Sequence, residues 1–153
     1  MKEEIRERIE MINKGQVPEG YKKTKVGIIP EDWEESFLEN LCDISTGDKD
    51  TKDRKEDGKY PFFVRSNNVE SIDSYSYDGE AILTAGDGVG TGKVFHYVNG
   101  KFDYHQRVYC LREFRDINGK YLYYYFSWNF IKQVVKYSAK TSVDSVRKEM
   151  LTK

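Results

Sequence analysis

Four sets of residues in this chain have types and spacings that chemistry uses. The first is a loop with alternate glycines, Gly86-Asp87-Gly88-Val89-Gly90-Thr91-Gly92, ending at Lys93. Glycine-rich loops cradle phosphates, and the P-loop pattern GxxxxGK[ST] would need glycine at 87 and Ser or Thr at 94. Those positions are Asp87 and Val94. The dinucleotide pattern GxGxxG fails at Thr91 when counted from Gly86 and at Lys93 when counted from Gly88. A strand pattern follows the loop, so no helix N-terminus faces an anion. Alternate glycines then make either a flexible hairpin loop or a place where a backbone comes close to something, a nucleic-acid backbone included. The second set is Asp50 and Lys52, the DxK half of a nuclease metal site, but they lie in a charge run without strand context. The third is His96 and His105, which have no carboxylate at metal-ligand spacing and read as hydrogen-bonding strand residues. The fourth is Cys42 and Cys110, with no CxxC and no nearby His pair, so neither zinc nor a disulfide framework is supported. There is no nucleophile elbow, no base–orienter pair and no Asn-Pro-Pro-aromatic segment. Nothing here argues for catalysis, a metal or a cofactor.

Three polar segments suit recognition instead. Arg65-Ser66-Asn67-Asn68 follows a strand signal, and Tyr104-His105-Gln106-Arg107 lies in or beside another. Arg and Gln or Asn are the side chains that pair with guanine and adenine edges. Residues 136–142 (KYSAKTS), with Lys140, mix bases and hydroxyls that suit phosphate contacts. Each alone is an ordinary polar loop, and their joint value depends on the fold gathering them.

The elements that must position them follow from periodicity. Ile5, Ile9 and Ile12 predict a short amphipathic helix over 1–14. Gly15 to Lys25 contains Pro18 and Gly20 and reads as a linker. After Pro30, Trp33 is expected to anchor the core. Phe37 to Ile44 is ambiguous, and Gly47 to Gly58 reads as a mobile exposed loop. Strands are expected at Tyr60–Val64, Ala81–Ala85, Lys93–Val98 and Lys101–Leu111, the last two joined by an Asn99-Gly100 type I′ turn. Leu122, Phe126, Phe130 and Val134 predict a helix over 119–136, and a second helix is expected to begin near Ser142 or Asp144. The fold class is mixed α+β: a small twisted, mostly antiparallel sheet with flanking N- and C-terminal helices. Its expected organisation is a helix and linker over 1–24 and a recognition domain over 25–153.

The chain has 153 residues, enough for one domain with a real core. Aromatics are 14%, including 12 Tyr, so that core is expected to be aromatic-rich. The net charge of -1 lacks the bulk basic balance of a dedicated nucleic-acid domain, but its distribution is uneven. Glu31, Asp32, Glu34, Glu35, Glu39, Asp43, Asp48 and Asp50 face Lys49 alone between residues 30 and 50. Lys132, Lys136, Lys140, Arg147, Lys148 and Lys153 make the C-terminal end basic. One face could meet phosphate and another a basic protein; ordinary solvated charge looks the same. No stretch is apolar enough to span a membrane, and no signal-peptide pattern is present, so a cytoplasmic protein is expected.

In order along the chain, several segments resemble the target-recognition domain of type I restriction–modification specificity subunits. They are Gly27–Glu34 (GIIPEDWE), Tyr60–Asn68 (YPFFVRSNN), Ala81–Gly88 (AILTAGDG), Gly92–Phe95 (GKVF), His105–Tyr109 (HQRVY) and Gly119–Phe126 (GKYLYYYF). The resemblance covers roughly Lys25 to Lys153. It implies a non-catalytic domain that reads half of a bipartite site on double-stranded DNA. It also implies partners: methyltransferase and restriction subunits of the same system, and a second specificity half. By position, it places Arg65, Ser66, Asn67, Asn68, Thr84, Gly86, Asp87, Gly88, Gly90, Thr91, Gly92, Lys93, His105, Gln106 and Arg107 on or near the DNA-facing side. A whole subunit carries two such domains and two long helices. This chain has one domain and a short N-terminal helix, as expected of a half-subunit, a silent specificity cassette or a truncated form. Two other classes stay open: a protein–protein module or inactive remnant using the acidic 30–50 face, and a small nuclease using Asp50 and Lys52.

Overall fold

The structure is a computed structural model that describes residues 2–25 and 27–137. Two compact units divide the chain, one up to Ser36 and one from Phe37. In the first, α1 (Glu3–Asn13) ends on Gly15, whose φ of 76° permits a left-handed stop. Gln16 N–H donates to Met11 O at 2.8 Å and Gly15 N–H to Ile12 O at 3.0 Å, so the last carbonyls are satisfied. None of the residues of α1 is buried. The stretch read as a linker contains a strand: β1 (Tyr21–Thr24) pairs antiparallel with β2 (Gly27–Pro30). Trp33 is 54% exposed, which corrects its assignment to the core.

The second unit contains α2 (Leu38–Leu41), β3 (Asp43–Thr46), β4 (Tyr60–Phe63), β5 (Val69–Ile72), β6 (Tyr77–Ala85), β7 (Phe95–Tyr104), β8 (Val108–Arg112) and α3 (Gly119–Tyr137). Its six strands run in the order β3-β8-β6-β7-β4-β5. All neighbours are antiparallel except β4 and β7, whose parallel register sets Phe63 beside Tyr104. This is the mixed, mostly antiparallel α+β sheet with helices that the periodicity predicts.

The central strand β6 is apolar on both faces because both are covered. On one face Ile82 and Leu111 pack with Leu122, Phe126 and Phe130 of α3, and Phe95 meets Phe126 edge-on at 5.5 Å. On the other, Ala81 and Leu83 pack with Phe63, Phe102, Tyr104, Val108 and Cys110. This alternation is the period of two that a strand imposes.

The Asn99-Gly100 pair does not make the expected hairpin. It lies inside the ten-residue strand β7, paired with Gly79 and Glu80 of β6. Strands β7 and β8 both run antiparallel to β6, and only His105, Gln106 and Arg107 link them. That link reaches at most ~14 Å, while β6 is ~27 Å long at a strand's rise. Strand β7 must therefore coil back so that Tyr104 returns to the Val108 end. Phe63 records the coil, touching both His96 at 5.1 Å and Phe102 at 5.7 Å. Gly100 has φ 145°, so the positive φ that Asn-Gly advertises bends a strand instead of closing a turn. The real connection of β6 to β7 is the glycine loop.

Candidate nucleic-acid interface

Three connections meet around one buried histidine. They are residues 65–68 after β4, residues 86–94 between β6 and β7, and residues 105–107 between β7 and β8. His105 is 3% exposed; its N–H donates to Phe63 O at 2.9 Å, and its Nδ1 accepts from Arg107 N–H at 2.9 Å. Burial, and then the nearby Arg65 guanidinium, lower its pKa below the ordinary histidine value of 6.5, against the opposing pull of Asp50 and Asp87. Gly86 N–H donates to Arg107 O at 2.7 Å, tying the second connection to the third. His96 Nε2 lies 2.9 Å from Ser66 O, tying β7 to the first.

The glycines fit close approaches. A Cβ on Gly90 would lie 2.8 Å from Arg65 O and 2.7 Å from Val94 Cγ2. A Cβ on Gly92 would lie 2.5 Å from Ile131 Cδ1, and φ there is 72°. Thus part of this loop is pressed onto its own protein. The Gly47–Gly58 segment is exposed over residues 51–57, as expected, and is tied to the fold at Gly47, Lys49 and Lys55. Lys49 O accepts from Gln106 N–H at 2.8 Å, Lys55 pairs with Asp73 at 2.5 Å, and Gly47 sits tight against the Tyr104 carbonyl. Asp50 N–H donates to Asp53 Oδ2 at 2.8 Å across a short 3₁₀ turn, Thr51–Asp53. No group of three or more His, Cys, Asp or Glu able to hold a metal ion exists among the described residues.

The sixteen expected site residues divide by exposure. Arg65, Asn67, Asn68, Gly88, Lys93, Gln106 and Arg107 are exposed, and Ser66 and Asp87 partly so. Thr84, Gly86, Gly90, Thr91, Gly92 and His105 are buried. Thr84 Oγ1 donates to Val94 O and Thr91 Oγ1 to Gly88 O, each at 2.8 Å, so both hydroxyls serve the loop's own shape. Lys140 lies outside the described residues, as does the second helix expected near Ser142 or Asp144. Across the cluster, Asp87 Oδ1 takes Arg65 Nη1 at 2.5 Å and Oδ2 lies 3.9 Å from Arg107 Nε. Each of the three connections thus contributes to one small charged group. Two features of the cluster had no usable signal in the sequence. Lys49 reaches it through a backbone carbonyl in a charge run, and Val89, 96% exposed, stands at the loop tip.

The three interlocked loops of this α+β domain carry exposed arginine, asparagine, glutamine and lysine, the side-chain types that recognition modules use. A family model for the type I restriction modification DNA specificity domain matches residues 30–153, and the chain belongs to that family. It is 32% identical over 126 residues to the type I restriction enzyme EcoDI specificity subunit of Escherichia coli, covering 82% of this chain and 27% of that protein. The chain thus spans about a quarter of that relative's length. Its fold resembles the type I restriction–modification S subunit from M. genitalium, with a TM-score of 0.60 and 16% identity over 77% of this chain and 32% of that one. It also resembles the HsdS subunit from Thermoanaerobacter tengcongensis, with a TM-score of 0.58 and 16% identity over 99% and 41% of the two chains.

Proposed function

We propose that this chain is a non-catalytic, sequence-specific DNA-recognition domain that reads one half-site for a type I restriction–modification system. In that role it directs modification and restriction subunits to double-stranded DNA and works beside a second specificity half. The observation that carries the reading is that three interlocked loops bear the exposed residues Arg65, Asn67, Asn68, Lys93, Gln106 and Arg107, with Arg65 and Arg107 brought together at Asp87. These are the side chains that pair with base edges and phosphates. Lys93, exposed and a point cation without the planar fork of Arg65 and Arg107, suits a phosphate. No helix among the described residues is long and apolar enough to cross a membrane.

The test is selection of bound duplexes from a randomised library at low salt, followed by sequencing. Enrichment of one short fixed block is expected. Uniform recovery or no recovery would overturn the reading. With the block in hand, Lys93→Ala should weaken matched and scrambled duplexes alike and lower the salt slope by about one.

A further inference from the structure

We propose that Asp87 makes this surface read a G·C base pair, by aiming Arg65 and Arg107 at guanine and accepting from cytosine itself. The proposal rests on the DNA-recognition reading above. The carboxylate lies between two guanidinium groups from different connections, 2.5 Å from Arg65 Nη1 and 3.9 Å from Arg107 Nε. The Asp87 side chain is 26% exposed, against 42% for Arg65 and 66% for Arg107. The acid is therefore recessed and the two bases stand proud of it.

A patch meant only for phosphate gains nothing from such an acid. The carboxylate repels phosphate oxygens and cancels one of two positive charges. A base edge is neutral and does not suffer that repulsion. In the major groove a G·C pair shows two acceptors, guanine N7 and O6, and then a donor, the cytosine amino group. Arginine donors match the first two, and a carboxylate oxygen matches the third. Arg107 meets Asp87 through Nε, which leaves both of its terminal nitrogens as a free fork. Asp87 Oδ2, loosely met at 3.9 Å, keeps capacity to accept. An A·T pair shows acceptor, donor, acceptor and would set its amino group against an arginine. The arginines are also held from behind. Gly90 is packed on the Arg65 carbonyl, and the Arg107 backbone is bonded to His105 and Gly86. Less side-chain and loop freedom is then lost on binding.

The experiment puts the whole chain and its Asp87→Asn and Asp87→Ala variants through the same duplex selection. Affinities for the enriched and a scrambled duplex are then measured, with thermal unfolding as the check on folding. The wild-type block is expected to hold an invariant G·C pair. Both variants should bind scrambled DNA more tightly, lose about tenfold of the enriched-to-scrambled ratio, and relax at that pair. A merely structural Asp87 would weaken both duplexes in parallel. Asp87→Asn keeps the shape and removes the charge, so it remains informative if Asp87→Ala fails to fold. Arg65→Lys, which keeps the charge and loses the planar fork, should relax the same pair. A block without an invariant G·C pair, or an unchanged ratio in the variants, overturns the assignment to Asp87 and leaves DNA recognition standing. A wild type that enriches no block overturns both.

Discussion

His105 couples the candidate surface to pH. Its Nδ1 accepts the Arg107 N–H, which requires the ring to be neutral on that nitrogen. Its folded pKa lies below the ordinary 6.5, burial being the main cause. The unfolded chain therefore takes up this proton first as the solution is acidified. The stabilising contribution is complete above the unfolded value and is lost as pH falls from there toward the lower folded value. Melting temperature should drop as pH falls through and below the ordinary histidine value of 6.5, and His105→Asn, which can still accept from Arg107, should show a smaller drop. Equal drops in the two proteins would refute this. Two glycines of the neighbouring loop separate steric from conformational cost. Gly90→Ala meets Val94 and the Arg65 carbonyl and should destabilise by about 1–3 kcal/mol. Gly88 has open space around it but φ 79°, so Gly88→Ala should cost about 1 kcal/mol through the backbone alone. Denaturant melts of the two variants compare these costs directly, and Arg65 should be displaced only by the first.

Helix α3 shows what periodicity can and cannot reveal about an element. Leu122, Phe126 and Phe130 recur every four residues, and they form the buried stripe, 4 to 6% exposed. Tyr121, Tyr124, Tyr125 and Trp128 lie on the outer side, with Trp128 81% exposed. Phe130→Ala should therefore cost about 3–5 kcal/mol, and Trp128→Ala should stay within about 0.5 kcal/mol; equal losses in a denaturant titration would mean the outer face is packed after all. At the helix start, a Cβ on Gly119 would fall 2.4 Å from the Glu80 carboxylate, which also bonds Tyr97. Strong local signals of this kind were legible: α3 and the Ala81–Ala85 half of β6 sit where sequence pattern places them, and the polar segments 65–68 and 105–107 are connections after strands. The failures share a cause. Asn99-Gly100 signals a positive φ, but which strand bends there depends on the distant link from Tyr104 to Val108. Trp33 is large and apolar, but its size does not reveal whether a partner surface exists. The candidate site was legible as three segments. Its division into exposed side chains and buried Thr84, Thr91 and His105 was not, because burial is set by how the three connections pack on one another, while the bonds that satisfy these side chains run to Val94, Gly88 and Arg107 close by in the chain.

At the scale of the folded unit, the two cysteines report on whether the sheet opens as one body. Cys42 lies in the cluster covered by α3, with its thiol 3.6 Å from Leu38 O, and Cys110 lies in the cluster on the opposite face. Both are at most 1% exposed. Burial is the main cause that raises each thiol pKa to about 12, against the partial opposition of Arg115 at Cys42 and Arg112 at Cys110. Neither forms thiolate at neutral pH in the folded state, and thiolate is the reactive species. Alkylation must then wait for opening. Cys42 and Cys110 are joined through the β3–β8–β6 ladder, in which Ile44 pairs with Leu111 and Leu83 with Cys110. Losing one face leaves the other's strands without their neighbours, so opening should be cooperative. Pulsed alkylation across a denaturant series, read by peptide mass spectrometry, should give coincident transitions for the two thiols. An earlier transition at Cys42 would mean that the helix-covered face and edge strand β3 detach first, while the face lined by Phe63, Phe102 and Tyr104 persists. That outcome would place His105 on the more stable part, since its bonds run to Phe63 and Arg107, while the Gly92 side of the neighbouring loop, packed on Ile131 of α3, would loosen with the helix.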